Sequence, residues 1–315
     1  MTSQQKIEQS VTKKLTLGLV KVSISVLICY VVFTQIEGSF SSIEMRKVIL
    51  KSFNERFYLV PLMLFMSFLN WSLEALKWII VLPKRSRLTF SHSFQSVLTG
   101  MGMSVLMPRL AGESMGRYTS HKGDKKDVFS GLVITKIIQT LVTFSFGIIG
   151  VLYYKADVLS WFSLPNEGLL ITILLLFIGL AFLRNKIWIF VLNSPYLESV
   201  RQVSITKCFK LILVSILRYV TFFGQFFVIS RFIGLEVGVL DSFFALATLF
   251  LLRMSTISVN VVVDLGLRFA TALLVFSKLD VIEDPNLVIV IFSLVWLFNV
   301  ILPSLSGGVL IWKKR

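Results

Sequence analysis

Two cysteines, Cys29 and Cys208, both in apolar runs, leave neither a disulfide framework nor a cysteine metal site. The two histidines, His92 and His121, fall in polar loops. No HExxH helix and no GxxxxGK phosphate loop occurs, so the common hydrolase and nucleotide-binding signatures are excluded. Charge is scarce as well, at 16% of residues against about 25% in a typical globular chain. Acidic residues are the scarcest: 17 against 32 Lys and Arg, a formal net charge of +15. What is abundant is apolar sequence, 55% of the chain, with a mean hydropathy of +0.82. Several apolar runs reach the roughly 20 residues that cross a hydrocarbon core, which makes this an integral α-helical membrane protein. The basic residues are scattered between those runs rather than gathered in a compact domain. That excludes a nucleic-acid-binding reading and suits juxtamembrane charge beside anionic head groups.

The N-terminal MTSQQKIEQSVTKK is polar and basic, and the apolar run after it is too long for a signal-peptide core. It reads as a retained first span, 15–36, behind a cytoplasmic tail, 1–14. Residues 37–56 pattern as an amphipathic surface helix, with Ile43, Val48, Ile49 and Phe53 opposite Arg46, Lys47 and Lys51. Further spans are predicted at 57–82, 128–154, 168–183, 208–233 and 286–312. Two regions are interrupted instead. Residues 94–107 are apolar but short and glycine-rich, and they run into Pro108 and a charged helix, so a re-entrant hairpin is expected near 94–120. An apolar run broken by Arg253, followed by SVNVVVDLGLRFATAL, predicts a second hairpin near 242–279.

The sequence reading is therefore an all-α polytopic membrane protein with about six transmembrane helices plus two re-entrant helical hairpins in an inverted repeat. The chain is one membrane domain, 1–315, with halves 15–154 and 168–315. Basic residues concentrate in 1–14, 84–93, 108–127, 184–207 and 313–315, which places both termini on the cytoplasmic side of a bacterial-type inner membrane. Interrupted segments in both halves are the pointer to a carrier with its site near the midplane.

Ionisable groups inside spans are expensive and point to function. Arg109, Glu113 and Arg117, spaced i, i+4, i+8, share one helix face. Gly112 and Gly116, one step round, would admit a neighbouring backbone. Lys136 and Arg218 have no obvious local partner, whereas Glu74 and Lys77 sit three apart and read as a self-neutralising pair. Lys77 and Lys210 lie near span ends and are expected to snorkel. Asp264 and Arg268 form a further i, i+4 pair. Bases dominate this set, and guanidinium groups match phosphate geometry, so an anionic phospholipid or lipid-linked precursor is the expected partner. Arg109, Arg117, Lys136, Arg218 and Arg268 are the expected phosphate contacts. Glu113 and Asp264 would orient them or carry coupling protons. No catalytic residue, metal or cofactor is expected, and oligomerisation is left open. The competing readings are a membrane-embedded glycosyl- or acyl-lipid transferase using Glu113 as base, and a non-transporting scaffold in which the charges only brace the hairpins.

The stretch PRLAGESMGR, followed by a basic loop and a long span, resembles the lysylphosphatidylglycerol synthase transmembrane-region family, also described as flippase-like domain proteins. The first family signature runs proline, Leu-Gly-Glu, then arginine. Pro108, Gly112, Glu113 and Arg117 stand at those positions, with Ala111 before the glycine. The second runs proline, Leu-Gly and Arg-Glu. Leu265, Gly266 and Arg268 match it, while Val261 or Val262 replaces the proline and Phe269 the glutamate. The resemblance implies a bundle with paired re-entrant elements and lipid translocation. The best-known members couple this region to a soluble aminoacyltransferase. No stretch here reads as that domain, so the chain is not expected to make lysyl-lipid.

Overall fold

A computed structural model describes residues 43–83, 88–105, 107, 109–120, 125–155, 157–158, 204–254 and 261–313, without the side chains of 43–45, 109, 110, 120, 125, 261–266 and 313. Every regular element among them is helical. In chain order these are α1 (Ile43–Arg56), α2 (Val60–Val81), α3 (Phe90–Met103), α4 (Arg109–Ser120), α5 (Lys125–Tyr153), α6 (Ile205–Phe232), α7 (Val239–Met254), α8 (Val261–Lys278), α9 (Pro285–Trp296) and α10 (Leu302–Lys313). A 3-10 turn, Phe57–Leu59, joins α1 to α2, and a π-helical turn, Leu297–Ile301, joins α9 to α10. The predicted spans 15–36 and 168–183 lie outside the described residues.

The boundaries have local causes. Pro61 opens α2, and the extended Leu82 before Pro83 ends it, since the ring of a following proline disfavours helical backbone. Thr89, Ser204 and Asp284 cap α3, α6 and α9 by accepting hydrogen bonds from His92, Lys207 and Asn286 backbone N–H groups. The Thr89 cap starts α3 four residues before the predicted hairpin, at Phe90. The extra turn carries Ser93, whose hydroxyl donates to the carbonyl of Ala75 on α2 at 2.8 Å.

Among the described residues, four continuous helices are long and apolar enough to cross a membrane by length and composition: Arg46–Val81, Lys126–Tyr153, Ile205–Phe232 and Pro285–Trp312. The last is 72% buried within the protein over its apolar window, whereas the other three are 33–39% buried, so it is the central helix of the bundle. Leu62, Leu64, Phe65 and Phe68 on α2, and Leu213, Leu217 and Val220 on α6, face outward, as side chains meeting lipid do. The predicted surface helix differs from expectation at its C-terminal end. α1 runs through the 3-10 turn into α2, and its apolar face packs on protein: Val48 and Ile49 rest on the main core, and Phe53 meets Phe232 edge-on at 5.2 Å.

By contrast α3 and α4, of 14 and 12 residues, rise only about 21 and 18 Å, too short to cross the ~30 Å of a hydrocarbon core. They pack on each other as a hairpin. The order long helix, two short helices, long helix occurs twice, as α2–α5 and again as α6–α10. Packing between the two sets is reciprocal. α2 lies on α6, α3 lies on α10, and α7 lies on α5, so each leading short helix rests on the closing long helix of the other set.

The candidate anion site

Small residues let the first hairpin close tightly enough to carry charge inward. A β-carbon on Gly116 would overlap the backbone nitrogen and Cα of Gly100 on α3, so the two chains touch backbone to backbone there. On the next turn of α4 the glycine contact is flanked by Glu113 and Arg117, which this approach drives into the bundle until they are 6% and 2% exposed.

Arg117 turns away from its own helix and donates from Nη2 to Glu74 Oε1 on α2 at 2.7 Å. Glu74 is the hub of the site. Its Oε2 also accepts from Arg218 Nη1 on α6 and pairs with Lys77 Nζ, both at 2.7 Å. Lys77 is fully buried and makes a second bond, to Gln139 Oε1 on α5 at 2.9 Å. Glu113 pairs with Lys136 on α5 at 2.6 Å. Two indoles lie under the guanidinium groups, Trp78 at 4.9 Å from Arg117 and Trp71 at 5.3 Å from Arg218, which offsets part of their desolvation. Four cations thus share two carboxylates among the described side chains.

This cluster opens on a small, partly open cavity. Glu74, Glu113, Arg117, Lys136 and Arg218 line it, with Trp71, Val97 and Met101 as the apolar wall. Arg218 is at the centre of the 28-residue α6, about 20 Å from either end, so the cavity meets that helix at mid-length.

An amide chain fixes the far side of the hub. Arg218 Nε donates to Asn70 Oδ1 at 2.9 Å, and Asn70 Nδ2 donates to Asn299 Oδ1 at 2.8 Å. Asn299 Nδ2 donates to Gln225 Oε1 at 2.6 Å, and Gln225 closes on the Met63 carbonyl at 3.1 Å. Asn299 belongs to the π-helical turn, whose extra residue swings this amide into the bundle, while Ser67 donates to the neighbouring Phe298 carbonyl. Asn299→Leu strands two buried amides, each worth about 1–3 kcal/mol when unpaired. It is therefore expected to lower the detergent melting temperature by several degrees, read by size-exclusion chromatography after heating. An unchanged melt would show that the chain is not closed as described.

Of the residues expected at a phosphate site, Arg117, Lys136 and Arg218 meet at this cavity together with Glu113. Arg268 is half-buried on α8 and is not among the residues lining the cavity. Arg109 and Asp264 lie on α4 and α8, with side chains outside the described set. Lys210 is exposed near the start of α6, as expected of a snorkelling lysine, but Lys77 is not: it points inward, held between Glu74 on its own helix and Gln139 on α5. Glu74 itself was legible only as half of a local pair with Lys77. The signal that could have raised it is Trp71, Glu74 and Trp78 on consecutive turns of one face, an aromatic-flanked acid inside a span.

Residues 18–307 match the family model described as lysylphosphatidylglycerol synthase TM region. No curated protein matches the chain.

Proposed function

The chain belongs to the lysylphosphatidylglycerol synthase TM-region family, and from that premise we propose that it moves an anionic phospholipid or lipid-linked precursor between leaflets. The observation that carries the reading is the cation-rich cluster around Glu74, open to a cavity beside the middle of α6. Surplus positive charge is costly in a low-dielectric interior, and an anionic head group passing through would neutralise it. In this reading Arg117, Lys136 and Arg218 contact the phosphate, with Arg109 and Arg268 joining along the path, and Glu113 and Asp264 orient them or carry coupling protons. The recurring helix order, read as an inverted repeat, supplies the mechanism: the two hairpins rock against the long helices and expose the cavity to each face in turn. The setting is a bacterial-type inner membrane with both termini cytoplasmic.

The test is a charge-neutral double substitution, Glu113→Gln with Lys136→Met, which removes one cavity cation together with the carboxylate it pairs with. In proteoliposomes carrying a fluorescent anionic lipid, the initial translocation rate is expected to fall at least ~10-fold, the loss of one charge-assisted contact to phosphate. The folded fraction should be unchanged. An undiminished rate in folded protein would mean that these charges only brace the bundle.

A further inference from the structure

Among the described residues lining the cavity, the buried side-chain atoms without a hydrogen-bond partner are N–H donors, apart from Glu113 Oε2, which is ion-paired with Lys136. Arg117 uses Nη2 on Glu74, and its Nε and Nη1, both buried, have no partner. The indole Nε1 of Trp71, a residue 5% exposed on the cavity wall, has none either. All three are N–H donors. The acceptors are committed: Glu74 to Lys77, Arg117 and Arg218, and Glu113 to Lys136. Among the described side chains, then, the site offers donors and positive charge, with each carboxylate already ion-paired. A buried donor without a partner is costly, and a ligand oxygen would recover that cost.

We propose that the cavity selects a doubly negative phosphate, a phosphomonoester or a diphosphate, and turns away head groups that carry an amine. The inference rests on reading the cluster as a head-group site and names the head group's class. Among the described side chains, four cations against two carboxylates leave two positive charges. A phosphodiester supplies one negative charge. A phosphomonoester above its second ionisation, at about pH 6, approaches two and presents three acceptor oxygens for the three waiting donors. An ammonium group would enter beside Arg117 and Lys136 with no carboxylate left to receive it, and like charges in a poorly screened site repel strongly.

The full chain in nanodiscs of phosphatidylcholine would be doped in turn with phosphatidic acid, phosphatidylglycerol or phosphatidylethanolamine, and bound lipid read by native mass spectrometry at pH 5 and pH 7.5. Phosphatidic acid is expected to be retained about tenfold over phosphatidylglycerol at pH 7.5, one further charge-assisted contact's worth. The ratio should fall toward unity at pH 5, where the monoester loses its second charge. Phosphatidylethanolamine should not be retained. Trp71→Phe, which keeps the ring and deletes only the donor, should cut phosphatidic acid retention several-fold and leave the melting temperature within a few degrees of wild type. Equal retention of the two anionic lipids at both pH values, or preference for the ethanolamine lipid, overturns the proposal.

Inorganic phosphate and pyrophosphate form a separate arm, because they bring the same chemistry without acyl chains. Protection from thermal unfolding by pyrophosphate but not by phosphatidic acid would support the doubly negative site and overturn the lipid reading. Selective retention of phosphatidic acid without its movement in proteoliposomes would support the site and overturn transport.

Discussion

Glu74→Ala is expected to be the most damaging single substitution in the protein. It deletes the carboxylate shared by Lys77, Arg117 and Arg218 and leaves two buried cations and the partly exposed Arg218 facing one another. Removing one partner of a buried ion pair costs about 3–5 kcal/mol, because the remaining charge keeps its desolvation cost and loses its compensation. The detergent melting temperature should fall by roughly 10 °C or more, and the folded peak in size-exclusion chromatography should shrink or vanish. Adding Lys77→Met should restore part of the loss by removing one stranded cation. Lys77→Met alone should be much milder, since Glu74 keeps two arginines. A Glu74→Ala protein that melts with the wild type would mean that the cluster is solvated, and the cation-surplus argument would go with it.

Gly116→Val carries the second largest expected effect. The β-carbon it adds would sit inside the backbone of Gly100, where no rotamer can relieve the overlap, so α3 and α4 must separate. Separation withdraws Glu113 and Arg117 together from the cavity, since both flank the contact on the same helix. Overpacking of this kind costs about 1–3 kcal/mol or more. The functional loss should exceed that, because Arg117 must stay within reach of Glu74. The reverse substitution gives the control. A β-carbon on Gly100 would lie 3.1 Å from the Glu113 Cα, tight but not overlapping, so Gly100→Ala should be distinctly milder than Gly116→Ala. Melting curves of the two alanine variants, with retained lipid measured in parallel, decide the matter. Equal melts would mean that the hairpin does not close at Gly116.

What the amino-acid order determined by itself follows from one-dimensional physics. Burying backbone in hydrocarbon requires uninterrupted apolar helix, so hydropathy alone located α2, α5, α6 and the α9–α10 helix within a few residues. Glycine, proline and charge in an apolar run cannot make a comfortable span, and this placed the short pair α3 and α4. The spacing of Gly112 and Gly116 also announced a close approach, because helical periodicity puts such residues on one stripe.

The partners of the charges were decided only in three dimensions. Lys77 is three residues from Glu74 and on the same helix face, so the local pair looked complete. The arginines that complete the hub stand 43 and 144 residues away in sequence. The spacing sets Arg117 on a face with Glu113, yet it binds Glu74 on α2. Asn299 carries no local sign of its role. It reaches Asn70 and Gln225 only because a π-helical turn rotates it inward, 229 and 74 residues from its partners. Which helix a residue joins is written in apolar surface and repeat period, whereas which charge answers it depends on packing between helices distant in sequence, and no local period encodes that.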